Sequence, residues 1–141
     1  MSAFEEIWRR NLEAGNLQIP RCTHCQAWNW YPLPACARCQ RRQSNWQTVP
    51  AAGTLYSWTR VHRSFIKARI ELPYVVGLVD LDEASTVRLP CRFAGGPARL
   101  PAIGERVILH PDLAGTEGVW AYRGGPAVHF PRRAPSWRQI C

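Results

Sequence analysis

Cys22-Thr23-His24-Cys25, then Gln26-Ala27-Trp28-Asn29-Trp30-Tyr31-Pro32-Leu33-Pro34-Ala35, then Cys36-Ala37-Arg38-Cys39: two C-x2-C pairs stand ten residues apart. Two residues between paired cysteines let the chain turn tightly, so both sulfurs can approach one metal at about 2.3 Å while backbone N–H groups point at them. One pair alone is a weak signal. Two pairs joined by a short aromatic hairpin can place four thiolates at the corners of one tetrahedron, and that spacing reads as a zinc ribbon with Cys22, Cys25, Cys36 and Cys39 as ligands.

Other chemistries use the same residues. A disulfide framework would suit a secreted chain, but Met1 is followed by Glu5, Glu6, Arg9 and Arg10 rather than by an apolar signal segment. A redox C-x-x-C needs one pair beside a βαβ pattern, and iron accepts the same four sulfurs. A closed four-thiolate site leaves no open position for substrate or water, so structural Zn2+ is the reading the spacing favours. His24, inside the first pair, reads as a solvent-facing residue of the turn.

Composition narrows the class. At 141 residues the chain has room for one domain, or for a zinc module joined to one small domain. No apolar run approaches the roughly 18 residues of a membrane span, so the expectation is a soluble, cytoplasmic protein with reduced cysteines and no membrane partner. The formal charge is +8. Four thiolates around Zn2+ would lower it to about +6, still basic, which points to phosphate-bearing ligands or acidic partner surfaces. Seven tryptophans are many for this length and imply interfaces or ligand walls as well as core.

Ser2-Ala3-Phe4-Glu5 has the form of a capping box, and Phe4, Ile7, Trp8 and Leu12 then recur at helical spacing as far as Gly15. One amphipathic helix is expected, packed on its own domain or docked on a partner. Leu17 to Ile19 should enter the ribbon as a strand, with Trp28 to Tyr31 facing it. From Gly53 the pattern changes to short alternating strands. In Thr54 to Arg63, strict alternation puts Leu55, Ser57, Thr59 and Val61 on one face and Tyr56, Trp58, Arg60 and His62 on the other, an aromatic and basic face that could be a stacking platform or core. Tyr74 to Leu81 reads as a central strand. Thr86 to Phe93 is its hairpin partner, with Val87, Leu89, Cys91 and Phe93 inward and Arg88 and Arg92 outward. Glu105 to His110 and Val119 to Phe130 complete five strands, the number of a small Greek-key barrel of the OB kind. The fold class is therefore mainly β: an N-terminal α-helix over residues 1–16, a rubredoxin-like zinc ribbon over 17–49, a five-stranded OB-fold barrel over 50–133 and a basic, aromatic tail over 134–141.

This order of parts resembles the zinc-ribbon/OB-fold family of acyl-CoA-associated proteins. The resemblance rests on the helix, Arg21-Cys22-Thr23-His24-Cys25, Tyr31-Pro32, Cys36-Ala37-Arg38-Cys39, Gly53-Thr54-Leu55-Tyr56-Ser57-Trp58-Thr59, Val61-His62-Arg63, Pro73 to Asp82 and Ile103-Gly104. Gln26 and Gln40 depart from it, standing where a glycine often follows each pair. The resemblance implies a non-catalytic accessory subunit of a thiolase-like acyl-CoA enzyme (a thiolase or retro-aldolase) in a hetero-oligomer, docking through helix and ribbon and helping to bind acyl-CoA through the barrel. Some relatives would instead accompany a hot-dog-fold enoyl-CoA hydratase. On these grounds Phe4, Trp8, Trp28 and Trp30 are candidate partner contacts. The candidate acyl-CoA ligands are Tyr56, Trp58, Arg60, His62, Arg63, Lys67 and Arg69, because CoA presents phosphates and an adenine to cations and rings. The same residue types would serve a single-stranded nucleic-acid-binding OB-fold, which the resemblance alone demotes. No catalytic residue is evident: the spare thiols, Cys91 and Cys141, have no histidine partner in sequence.

Overall fold

The computed structural model describes residues 2–42, 45–65, 72–93, 100–112 and 118–123. Helix α1 spans Ala3–Glu13, opened by the capping box the sequence spells out: Ser2 Oγ accepts from the Glu5 N–H and the Glu5 carboxylate accepts from the Ser2 N–H. It ends at Gly15, whose φ of +78° lets the Gly15 and Asn16 N–H groups turn back onto the carbonyls of Leu12 and Asn11.

Strands β1 (Gln18–Pro20) and β2 (Trp46–Thr48) form a two-stranded antiparallel sheet at the base of the ribbon. The expected facing strand, Trp28 to Tyr31, does not form. Trp28 makes a single bridge with Arg21, and the Asn29 N–H donates to the Pro20 carbonyl. Pro32 and Pro34 lack the N–H groups a ladder needs, so the chain between the cysteine pairs runs as an irregular link and the partner of β1 comes from beyond the second pair.

Strands β3 (Ala52–Val61), β4 (Tyr74–Leu81), β5 (Arg88–Phe93), β6 (Arg106–Asp112) and β7 (Gly118–Arg123) close into a barrel of order β3-β4-β5-β7-β6. All neighbours are antiparallel except β5 and β7, which pair in parallel at Arg92 and Phe93. This is the five-stranded Greek-key arrangement expected of an OB-fold. Residues 124–130 of the expected last strand, and the tail over 134–141, lie outside the described residues.

The interior is filled by Leu55, Val75, Val79, Leu81, Val87, Leu89, Cys91, Phe93, Val107 and Leu109, all buried. The inward set expected for the third barrel strand, Val87, Leu89, Cys91 and Phe93, is the set observed. Leu12, Leu17, Ile19 and Val49 belong to the same apolar cluster, so helix, ribbon and barrel share one core. Beside the junction, the Val49 N–H donates to the Leu17 carbonyl within the ribbon and the Leu109 N–H to the Ala51 carbonyl within the barrel.

The first barrel strand departs from strict alternation. A bulge at Tyr56 shifts the register between Leu55, opposite Val79, and Ser57, opposite Leu78. One extra residue reverses which side chains face inward. Leu55 is buried and Tyr56 exposed, while Trp58, opposite the buried Gly77, packs against the core. Tyr56 and Trp58 therefore stand on opposite faces of the sheet, and the single platform expected from alternation does not exist.

Candidate metal centre and barrel face

The two cysteine pairs occupy equivalent turns. Cys22 N–H donates to the Ala27 carbonyl and Cys36 N–H to the Arg41 carbonyl; Gln26 N–H donates to the Cys22 carbonyl and Gln40 N–H to the Cys36 carbonyl. Gln26 and Gln40 both sit at φ of 62°, the left-handed region that usually selects glycine. Each side-chain amide donates back into its own turn, Gln26 Nε2 to the Thr23 carbonyl at 3.1 Å and Gln40 Nε2 to the Ala37 carbonyl at 3.2 Å. These bonds offset part of the steric cost and explain why glutamine is accepted in both places.

The four Sγ atoms lie within 4.8 Å of one another, and two pairs cross between the turns at 3.6 Å: Cys22 to Cys39 and Cys25 to Cys36. A tetrahedron with metal–sulfur bonds of about 2.3 Å has edges of about 3.8 Å, so the sulfurs are spaced for one metal ion and too far apart for disulfides. Cys22 and Cys36 are buried, Cys25 and Cys39 half-buried, and His24 is exposed, as expected for a residue of the turn.

The thiols are unequal. The Cys25 N–H, working against burial, holds the Cys22 thiol below its usual range with help from the His24 N–H. The N–H groups of Cys39 and Arg38, with the Asn29 amide, bring Cys36 down to about 6. At Cys39 the Arg41 N–H favours the thiolate, but burial and the three neighbouring sulfurs outweigh it and the thiol is pushed up to about 11. Soft donors, backbone N–H groups aimed at them and a closed geometry fit a structural metal. Sequence reasoning passed over Asn29, the one buried polar residue of the chain's described part, which contacts both turns. A single amide among the ribbon's aromatic residues was the available signal.

The rings expected at a partner contact turn onto one another. Trp8 meets Trp30 with ring centroids 4.5 Å apart, Phe4 stacks on Trp46 at 6.4 Å, and the Tyr31 hydroxyl donates to the Glu5 carboxylate. Trp8, Trp28 and Trp30 are half-buried against the shared core. Arg21 covers the Trp28 ring at 4.8 Å. The helix thus packs on its own ribbon, and the large apolar side chains left exposed there are Tyr31 and Leu33.

On the barrel, the expected acyl-CoA ligands are dispersed. Tyr56 lies on the outer face beneath the Arg88 guanidinium, 3.7 Å from its ring centroid, and Arg88 also pairs with Asp80 at 3.1 Å. On the same face Arg92 covers Tyr74 at 4.5 Å. The sequence placed both arginines outward but gave no sign that they cap rings. Trp58 belongs to the interior side. Arg60, His62 and Arg63 are exposed at the far end of β3, next to Phe65, which is 95% exposed. None of the three has an ion-pair partner among the described residues. Lys67 and Arg69 lie outside the described residues. Cys91 is buried in the barrel, its Sγ 3.4 Å from the Leu89 carbonyl, and burial pushes its thiol far up, so it is no nucleophile.

A four-cysteine centre on a ribbon that shares its core with a five-stranded barrel defines a rubredoxin-like zinc-ribbon/OB-fold protein. Comparison with known sequences agrees: the profile of the ChsH2 rubredoxin-like zinc ribbon domain matches residues 12–44, and that of the ChsH2 C-terminal OB-fold domain matches residues 46–110. The chain belongs to the ChsH2 family. A chain of the Ltp2-ChsH2(DUF35) aldolase superposes with a TM-score of 0.72 at 27% identity, over 87% of this chain and 94% of that one. A DUF35-family protein of unknown function from Sulfolobus solfataricus shares the fold, with a TM-score of 0.60 at 14% identity over 84% of each chain. A probable enoyl-CoA hydratase alpha subunit of Thermomonospora curvata is 36% identical over 105 residues, 73% of this chain; those residues span 31% of that relative's length. Among the described residues no helix is long and apolar enough to cross a membrane.

Proposed function

We propose that the protein is a non-catalytic accessory subunit of a cytoplasmic, thiolase-like acyl-CoA enzyme, holding one structural Zn2+ through Cys22, Cys25, Cys36 and Cys39. The observation that carries this reading is the basic group at the end of β3, which has no ion-pair partner among the described residues. Arg60, His62 and Arg63 stand exposed beside Phe65. Arginines without a carboxylate partner among the described residues, followed in the chain by an exposed aromatic ring, match a ligand carrying phosphates and an adenine. The thiols of the described residues offer no free nucleophile, since four face one another and Cys91 is buried. Such a chain contributes binding and leaves the chemistry to a partner. The aldolase relationship over nearly the whole of both chains favours a thiolase-like partner. The hydratase relationship supports a second reading, in which the same ribbon and barrel serve an enoyl-CoA hydratase. In both, the helix–ribbon module docks on the enzyme, with Tyr31 and Leu33 as its open apolar contacts.

Co-expression with each type of enzyme, followed by size-exclusion chromatography and an acyl-CoA turnover assay, tests the proposal. The chain alone should be inactive, co-elute with one of the two and raise that enzyme's turnover. Turnover by the isolated chain, or co-elution with neither, overturns it.

A further inference from the structure

Asn29 is the buried polar side chain in the described core, only 5% exposed, and it lies between the two cysteine turns. Its Nδ2 donates to the Ala27 carbonyl of the first turn at 3.0 Å and approaches Cys36 Sγ of the second at 3.5 Å. Its Oδ1 accepts from the Ala37 N–H, also of the second turn, at 2.9 Å. Its backbone N–H is held by the Pro20 carbonyl at the ribbon base. The amide is thus fixed at both ends, and the N–H left over is aimed at a ligand sulfur.

We propose that Asn29 is a positioning residue for the metal centre, clasping the two cysteine turns and donating a hydrogen bond to the Cys36 thiolate. This rests on the four-cysteine metal site. A buried amide costs free energy unless its donors and acceptor are satisfied, and here an anionic sulfur completes the set. Donation to a thiolate withdraws electron density from sulfur, lowers the charge the metal must balance and fixes where the lone pairs point. Backbone amides alone would leave the relative placement of the turns to the metal. Asn29 presets it before metal arrives. Its contribution is retention and pre-organisation rather than ligation, since the four sulfurs already make up a complete tetrahedral set.

The test begins with the unaltered protein loaded with the NMR-active isotope of cadmium. A through-bond correlation between the metal and an Asn29 side-chain amide proton is expected, because the coupling passes across N–H···S–metal. If backbone amides of the cysteine turns show such couplings and Asn29 shows none, the donation does not exist. A wild-type chain that takes up no metal would instead overturn the metal site itself, so the two failures are distinguishable. Asn29→Asp keeps an acceptor for the Ala37 N–H while removing the donor, and Asn29→Ala removes both. Loss of such a contact should weaken metal affinity by about 10- to 100-fold, and the cobalt-substituted variants should show sulfur-to-metal charge-transfer bands at lower energy, lowest in Asn29→Asp. Unchanged bands and metal affinity in a folded variant would make Asn29 a packing strut only.

Discussion

Gln26 and Gln40 show how a pattern read by eye can hide a cost. Both adopt φ of 62° with an amide bonded back into the turn, so glycine at either position would gain steric freedom but lose that bond and add unfolded-state entropy. Gln26→Gly should therefore shift stability by less than about 0.5 kcal/mol, whereas Gln26→Val, with its branched Cβ and no amide, should cost about 1–2 kcal/mol. Thermal melts of the metal-loaded variants decide this, and a harmless valine would refute the strain argument. The thiols make a second residue-level case. Cys36, at about 6, is already ionised at neutral pH, while Cys39, at about 11, is not. Metal uptake must expel the Cys39 proton, so apparent Zn2+ affinity should climb with pH from neutrality toward 11, by about tenfold per unit for each proton released, and should fall further below pH 6 as Cys36 protonates. Chelator competition at stepped pH measures it; a flat profile between pH 7 and 9 would contradict the assignment. The four-cysteine cluster was legible because metal geometry constrains spacing directly. Asn29 was not, since its role depends on three contacts that sequence distance does not encode.

Packing decides what each strand and helix can tolerate, and it was only partly visible in the chain. Tyr74–Leu81 was readable to its ends because a continuous apolar run bounded by Asp82-Glu83 has few alternatives. The phase of β3 was not: alternation counts residues, and a bulge changes the count without any glycine to announce it. Gly77 and Gly53 are where the sheets leave least room. A Cβ on Gly77 would come 2.6 Å from Phe93 Cε2 and 2.8 Å from Leu55 Cδ1, side-chain tips that can yield. Gly77→Ala should cost about 1–3 kcal/mol and be largely rescued by Phe93→Leu. A Cβ on Gly53 would come 2.3 Å from the Asp80 carbonyl oxygen, which is backbone of the paired strand. Gly53→Ala should cost more, about 4 kcal/mol, and no side-chain trimming should recover it. Equal costs, or a rescue of Gly53→Ala by Val79→Ala, would count against this account. Helix α1 carries the matching prediction. Trp8 packs on Trp30, so Trp8→Ala should lower the stability of the isolated chain by about 2–4 kcal/mol. A ring serving only a partner would leave the melt unchanged and weaken co-elution alone.

One core runs through helix, ribbon and barrel, so the four-cysteine centre and the end of β3 are carried by one packed unit, and a partner gripping the first would orient the second. That coupling gives the proposed accessory role physical content: docking through the ribbon would set the distance between Arg60, Arg63 and the partner's catalytic pocket. The sequence made the modules legible and the surface chemistry illegible, because Arg60 and Arg88 look alike in a chain although one has no ion-pair partner among the described residues and the other covers a tyrosine ring and pairs with Asp80. The difference supplies its own control. In the assembled complex Arg60→Ala and Arg63→Ala should each raise KM for acyl-CoA about tenfold or more, the loss of a charge-assisted contact of about 1.5–3 kcal/mol, with kcat unchanged. Tyr56→Ala, on the outer face, should leave KM where it was. Single-stranded DNA should bind weakly and release steeply as salt is raised, since phosphate attraction without stacked bases has nothing else to hold it. With Tyr56 capped by Arg88 and Trp58 turned inward, Phe65 is the aromatic side chain of this strand end still open to a base. Salt-resistant oligonucleotide binding, together with an unchanged KM in both arginine variants, would overturn the acyl-CoA reading and make the barrel a nucleic-acid site built on the end of β3.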